Sequence, residues 1–200
     1  MMIVERVSRN ELPQGYEEAL TFDLKKDKKL VVWLNVLSVF ALIPFLPLWF
    51  WMTWKMNVQV DPSLNLLLLL IGIVVMLILH EAVHGIFFKL GTDQKVKFGF
   101  NGLFAYAGAP GIYYKKKYYL MIGLAPLALV SLLLIVLMLL FREVALLPLY
   151  LIFVVHFSGC VGDMYVCAKI RKLPDEELLV DTGLSMTAYT RSKETPKLDE

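Results

Sequence analysis

The sequence predicts an all-α polytopic membrane protein with four transmembrane helices and a small membrane-proximal β-hairpin after the second helix. Hydrophobic residues make up 58% of the 200 residues and the mean hydropathy is +0.63, which is too apolar for an ordinary soluble domain. Four apolar stretches of 24 or 25 residues are each long enough to cross a bilayer. They run over 30–54, 64–88, 118–141 and 144–168.

The segments that flank the four spans are polar. Residues 1–29 form the expected N-terminal arm, and they lack the charged, apolar and small-residue regions of a removable signal peptide. The tail, 171–200, carries two weak strand-like patches from Leu173 onward and is expected to pack loosely or not at all. The membrane domain is therefore expected over 30–170.

The first span carries two prolines and a group of tryptophans. Pro44 and Pro47 predict a kink in this span. Trp49, Trp51 and Trp54 form a band of the kind that lies at a membrane interface. The second span is expected to end near Gly91, a residue type that commonly caps helices.

Residues 95–114, KVKFGFNGLFAYAGAPGIYY, differ from the spans in their pattern of apolar residues. Apolar residues alternate on both sides of Asn101-Gly102, which predicts two short strands joined by a tight turn. One interpretation places this hairpin partly in the membrane, where irregular backbone is tolerated only if protein buries it or if it lines a cavity. The alternative is an ordinary surface hairpin.

The distribution of positive charge predicts the orientation. Of 20 Lys and Arg residues, 18 lie in residues 1–29, 89–117 and 169–200. By the positive-inside rule, both termini and the 89–117 loop are expected in the cytoplasm, and we expect a multi-pass protein of the plasma membrane. Lys115, Lys116 and Lys117 are expected to meet anionic lipid headgroups rather than nucleic acid.

The sequence HEAVHG, residues 80–85, interrupts the second span with ionisable groups that are expensive in a bilayer core and usually functional. His80 and His84 are four residues apart, so both lie on one helix face and can reach one zinc ion. Glu81 projects beside them, where a carboxylate can take a proton from a water activated by zinc. The alternative is a buried polar cluster that only holds helices together.

A catalytic zinc site needs a third protein ligand. Asp163 is the natural candidate if Glu81 is the base, because these two are the only acidic residues within the four spans. Asp163 lies 5 residues from the inner end of its span, and His80 and His84 lie 8 and 4 residues from theirs. The alternative for Asp163 is a carboxyl group that is protonated or paired with a lysine.

The remaining polar residues of the spans have two interpretations each. His156 is expected roughly 10 Å farther from the inner face than Asp163 in a straight helix. It is either a core histidine bonded to a carbonyl or to Ser158, or a residue that lines the catalytic cavity. Gly123, Ala125 and Pro126 allow close helix packing or free a backbone carbonyl. Cys160 and Cys167 are expected to be packing residues.

These motifs resemble the site-2 protease class of intramembrane zinc peptidases. More closely, residues 60–170 resemble a small four-span zincin peptidase family. The resemblance implies that His80, His84 and Asp163 bind Zn²⁺, that Glu81 is catalytic, and that the 95–114 hairpin presents an unwound substrate by strand addition. It implies a zinc metalloprotease that hydrolyses peptide bonds of a membrane protein or peptide near the cytoplasmic face.

The sequence lacks the asparagine that often follows the proline of the third helix in site-2 proteases. We therefore expect another donor to stabilise the oxyanion, with His156 as the first candidate and Asn101 as the second. The missing asparagine also leaves a different class of function open. That alternative is a non-proteolytic metal-binding membrane protein, such as a sensor, a carrier or a chaperone-like relative of the proteases.

Overall fold

The computed structural model of the protein describes residues 7–55, 62–100, 102 and 105–192. Four helical crossings are joined to a five-stranded antiparallel sheet and a separate two-stranded hairpin. The first crossing consists of α1 (Lys28–Phe40), a 3-10 turn (Ile43–Phe45) and α2 (Leu46–Lys55). The others are α3 (Pro62–Leu90), α4 (Lys116–Leu140), and α5 (Leu146–Gly159) with α6 (Val161–Ile170).

The four crossings agree closely with the predicted spans. Their apolar helices cover Lys28–Trp54, Ser63–Leu90, Lys116–Leu140 and Leu146–Ile170, and each is long and apolar enough to cross a membrane. Many large apolar side chains on their outer faces are exposed, among them Leu66, Ile71, Val74 and Leu139. Soluble proteins rarely leave such continuous apolar surface in water, so these helices indicate a multi-pass membrane protein.

Two of the crossings are interrupted. The first passes through the 3-10 turn, which has a proline in its first turn, in agreement with the kink predicted from Pro44 and Pro47. The fourth divides at Cys160, where α5 ends and α6 begins. Neighbouring Gly159 and Gly162 face open space at the position of a β-carbon, so the chain there is not crowded.

The prediction of an all-α fold was wrong in one respect, because both polar arms contribute strands to the five-stranded sheet. Its strands are β1 (Ser8–Arg9), β2 (Tyr16–Asp23), β5 (Tyr113–Lys115), β6 (Leu178–Asp181) and β7 (Ser185–Arg191), in the order β1-β5-β6-β7-β2. The expectation of a loosely packed tail was also wrong. In its described part, residues 171–192, Leu179, Met186 and Ala188 are buried in one cluster with Phe88, Tyr119 and Ile170 of the helices, and this burial holds that part of the tail in place.

Lys116 ties the tail to the start of α4. Its backbone N–H donates to the Glu177 carbonyl, and its ammonium group donates to the Leu173 carbonyl and to the Asp175 carboxylate at 3.1 Å. Hydrogen bonds from the ammonium groups of Lys116 and Lys117 hold the pKa of the Asp175 carboxyl group below its usual value. The Lys116 side chain is buried, so it does not meet lipid headgroups as the sequence suggested.

The predicted hairpin is present, but it is shorter than the 95–114 segment. Strands β3 (Lys97–Phe100) and β4 (Ala105–Gly108) pair antiparallel, with Phe98 opposite Ala107. The last residues of the predicted segment belong instead to β5 of the larger sheet. The Phe98 ring packs directly over Gly85 of α3, where a β-carbon would overlap it, so the last glycine of HEAVHG allows the hairpin to approach the helix.

Gly108 generates a prediction about the contact between the hairpin and the β6–β7 turn. A β-carbon at Gly108 would overlap main-chain atoms of Thr182 and Gly183, which cannot move as a flexible side chain can. Gly108→Ala is therefore expected to destabilise the protein by about 1–3 kcal/mol. Thermal unfolding in detergent should show a lower midpoint, whereas Gly162→Ala, with open space at its β-carbon, should not. Equal midpoints for the two variants would contradict this packing.

Candidate metal centre

Three side chains from two crossings converge inside the helical region. His80 and His84 lie one turn apart on α3, and their rings are 4.9 Å apart between centroids. Asp163, in the first turn of α6, lies between them: its Oδ2 is 3.4 Å from His80 Nε2 and 3.6 Å from His84 Nε2. One ligand atom from each residue lies within 4.8 Å of the others. The structure thus brings together the three residues that the sequence suggested as ligands.

The spacing of these atoms fits a zinc ion. Zinc with nitrogen and oxygen donors at about 2.0–2.1 Å in a tetrahedron separates neighbouring donor atoms by roughly 3.3–3.4 Å. Direct hydrogen bonds between an imidazolium and a carboxylate are shorter, at about 2.7–2.9 Å. The observed 3.4 and 3.6 Å match the tetrahedral spacing better, so the donor set can hold zinc and leave a fourth position open.

The centre opens onto a cavity of about 570 Å³ that reaches all four crossings, the hairpin and the large sheet. The side chains of His80 and His84 are 13% and 12% exposed, and that of Asp163 is 29% exposed. The three groups are therefore shielded by protein but accessible from the cavity. Such a concave site, with a few polar groups in apolar walls, is typical of a ligand-binding or active site.

Glu81 lies next to the histidines and also lines this cavity. Its carboxylate accepts a hydrogen bond from the backbone N–H of Ala107, in strand β4 of the hairpin. The hairpin thereby orients the residue that the sequence suggested as the general base.

Pro126 explains the orientation of His84. A proline inside a helix has no N–H to donate to the carbonyl four residues earlier, which here belongs to Ile122. His84 Nδ1 lies 3.0 Å from that Ile122 oxygen. With Nδ1–H donating to the carbonyl, the lone pair of Nε2 points to the metal position. The alternative in which Pro126 frees a carbonyl is thus what the structure has.

Gly123 serves close packing. A β-carbon at Gly123 would lie only 2.5 Å from Cys167 Sγ of α6. The small residue therefore allows α4 to approach the helix that carries Asp163.

His156 is buried beside the centre, with 1% of its surface exposed. Its ring lies 5.6 Å from that of His80, and it donates a hydrogen bond to the Pro126 carbonyl. Ser158 donates to the Ser38 carbonyl at 2.9 Å. His156 also lines the cavity, so its burial and carbonyl contact fit a core histidine while its position fits the cavity-lining alternative. The other suggested oxyanion donor, Asn101, lies outside the described residues.

Sequence reasoning missed the contribution of the tail to this cavity. Asp181, Gly183 and Met186 line it from the β6–β7 turn. Asp181 accepts hydrogen bonds from the Tyr119 hydroxyl and, at 2.6 Å, from the Gly183 backbone N–H, while burial raises the pKa of its carboxyl group. The turn sequence Asp181-Thr182-Gly183 between two apolar alternating patches was the signal that could have predicted this hairpin.

Cys160 differs from the expectation of a simple packing residue. It is fully buried, but its Sγ lies 3.9 Å from His80 Nδ1 and 3.8 Å from His156 Nδ1. Cys167 is also buried, and it packs against Gly123 as described above.

Fold and site together define a helical multi-pass membrane protein with a candidate zinc-peptidase centre. Residues 73–178, just over half of the chain, match the family described as "Putative zincin peptidase", and the chain belongs to that family. Its description indicates a zinc metallopeptidase. No curated protein and no solved structure matches the chain. The matched region includes the histidine motif, the hairpin and Asp163, but neither β2 nor β7.

Pro126→Ala tests the orientation of His84. Alanine restores a backbone N–H that competes with His84 for the Ile122 carbonyl, and loss of such an outer partner typically weakens metal binding about 10- to 100-fold. We expect zinc affinity to fall, measured by competition with a chelator, without loss of thermal stability, because alanine favours a helix. Pro47→Ala, in the first crossing, is the control. Unchanged zinc affinity in Pro126→Ala would show that the carbonyl does not orient His84.

Proposed function

We propose that the protein is a zinc endopeptidase that cleaves a membrane protein or peptide within or next to the bilayer, near the cytoplasmic face. The observation that carries the proposal is the convergence of His80, His84 and Asp163 beside Glu81 in a cavity between apolar helices. Ionisable groups at such a depth are costly. Two imidazoles, a carboxylate ligand and a free carboxylate are the set that metal-assisted peptide hydrolysis needs.

In the proposed reaction His80, His84 and Asp163 hold the metal. Zinc, when bound, would polarise the scissile carbonyl and make water a better nucleophile. Glu81 takes a proton from the attacking water and passes it to the leaving amine. The Ala107 N–H holds the Glu81 carboxylate in place, which lowers the cost of reaching the reactive geometry.

His156 takes no step in this mechanism. It is almost fully buried and its N–H is committed to the Pro126 carbonyl. Its hydrogen bond to α4, beside the one from His84, supports a role in positioning the helices around the centre.

Strand β4 is the proposed contact for the substrate backbone. The N–H of Ala107 points to Glu81 and that of Ala109 donates to the Asp181 carbonyl at 2.9 Å. Backbone groups of alternate residues in a strand point to the same side, and Ala105 lines the cavity with Ala107. An extended substrate can pair with this edge and bring its peptide bond to Glu81.

The proposed orientation rests on the charge distribution of the sequence. The clustering of 18 of the 20 Lys and Arg residues in the two arms and the 89–117 loop supports cytoplasmic termini. The five-stranded sheet would then lie at the cytoplasmic surface, and water would reach the centre from that side. Access to water at this depth is what hydrolysis inside a bilayer requires.

Glu81→Gln should keep zinc and lose cleavage, because glutamine preserves the shape of the side chain but cannot accept the proton. His80→Ala should lose zinc as well. Zinc content is measured on protein purified in detergent. Cleavage is measured by mass spectrometry on single-span model peptides reconstituted with the enzyme in liposomes.

The exposed residue Glu143, in the α4–α5 connection, provides the matched control Glu143→Gln, which should cleave like the wild type. Cleavage by purified Glu81→Gln at the wild-type rate would overturn the mechanism. Zinc binding without any cleavage by the wild type would favour the non-proteolytic metal-binding alternative.

Asp163→Ala tests the third ligand. Removal of the Asp163 carboxylate should abolish cleavage. It should also change the visible spectrum of the cobalt-substituted protein, since that spectrum depends on the ligands around the metal. Asp175→Ala, which removes a surface carboxylate near Lys116, is the control. A cobalt spectrum identical to that of the wild type would exclude Asp163 as a ligand.

A further inference from the structure

The two ring nitrogens of His80 face different groups of side chains. Nε2 lies 3.4 Å from Asp163 Oδ2, within the candidate zinc centre. Nδ1 lies on the other edge of the ring, 3.9 Å from Cys160 Sγ. His80 therefore lies between the candidate zinc centre and a second group of polar side chains that is more deeply buried.

This second group consists of His80, His156 and Cys160. Cys160 Sγ lies 3.8 Å from His156 Nδ1 and 3.7 Å from its Nε2, and one ligand atom from each of the three residues lies within 4.8 Å of the others. Cys160 and His156 are 0% and 1% exposed. The proposed hydrolysis uses neither of them, although a buried thiol between two imidazoles is an unusual arrangement for packing alone.

The chemistry of this group fits a thiophilic cation. One thiolate and two imidazoles suit zinc, cadmium or copper(I), whereas a carboxylate suits harder ions. With a metal–sulfur distance of about 2.3 Å and metal–nitrogen distances of about 2.0–2.1 Å, neighbouring donors of a tetrahedral ion lie roughly 3.5–3.6 Å apart. The observed sulfur–nitrogen distances of 3.7–3.9 Å are slightly longer than this, and the three donor atoms lie within 4.8 Å of one another.

We infer that His80, His156 and Cys160 form a second, inner metal position for a thiophilic cation, and that this position competes with the zinc centre for His80. A neutral imidazole has one nitrogen with a free lone pair and one N–H. If Nδ1 binds a cation at the inner position, the ring proton lies on Nε2, which can no longer bind zinc. Binding also releases the proton of the Cys160 thiol, because the thiolate is the ligand.

Occupation of the inner position would therefore remove one ligand from the zinc centre. Binding of a soft metal at the inner position does not depend on the proposed peptidase activity. Inhibition by that metal rests on the proposed activity, because it would follow from the loss of His80 as a zinc ligand.

Cadmium provides the probe, because its bond to a thiolate gives a sulfur-to-metal charge-transfer absorption in the ultraviolet. Metal-free protein in detergent is titrated with cadmium. The wild type should develop this absorption, and Cys160→Ser should lose it. Cys167→Ser, which changes the other buried cysteine of the fourth crossing, should keep it. His156→Ala should weaken or lose it.

His84→Ala distinguishes two alternatives. In one, the inner metal position is separate from the zinc centre; in the other, a single larger site includes His84. His84 belongs only to the zinc centre, so the cadmium–sulfur absorption should persist in His84→Ala and also in the cleavage-deficient Glu81→Gln. Loss of the absorption in His84→Ala would overturn the inference, because His84 would then bind the same ion as His80, His156 and Cys160. Its absence in the wild type, or its survival in Cys160→Ser, would overturn it too. Retained zinc binding by Cys160→Ser shows that this variant is folded.

Discussion

Polar groups buried among apolar helices must find partners within the protein, because lipid offers none. In this protein the missing N–H of Pro126 creates such a demand by leaving the Ile122 carbonyl without its helical donor. His84 meets the demand from α3. One irregularity in α4 thus fixes the tautomer of His84, a candidate metal ligand on another helix. The carbonyl of Pro126, one turn farther along α4, accepts a hydrogen bond from His156 of α5. Backbone carbonyls of α4 therefore contact histidines of both α3 and α5.

The five-stranded sheet forms part of the cavity wall, together with the helices. Four apolar helices alone would leave the ends of α3 and α6 at Leu90 and Ile170 uncovered. Strands from the N-terminal arm, the 113–115 segment and the tail instead pair into one sheet, and its β6–β7 turn reaches the cavity wall next to β4. The close approach at Gly108 shows that hairpin and sheet are packed together. Strand β4 near Glu81 is therefore paired with β3 and also packed against the β6–β7 turn.

Much of the membrane part could be predicted from the sequence, because its signals are local. The four spans follow from long apolar runs, the first kink from Pro44 and Pro47, and the grouping of His80, His84 and Asp163 from helical spacing and a shared depth. The five-stranded sheet could not be predicted, because three of its strands have only two to four residues and because its strands come from three distant segments that pair only in the folded chain. The contact between His156 and His80 could not be predicted from helical rise, which relates residues along one helix only. Which way an imidazole faces depends on its neighbours in space.

His80 shows why that orientation matters for the whole site. A metal ligand normally donates its other ring N–H to an outer partner, which fixes the tautomer and the basicity of the ligand. For His84 that partner is a backbone carbonyl, which cannot bind a soft metal in competition with zinc. For His80 the group in the same place is the sulfur of Cys160, a weak acceptor for an N–H but a strong ligand for a thiophilic cation. The two histidines of one motif therefore have different outer partners. His84 faces only the candidate zinc position, whereas His80 faces both candidate metal positions.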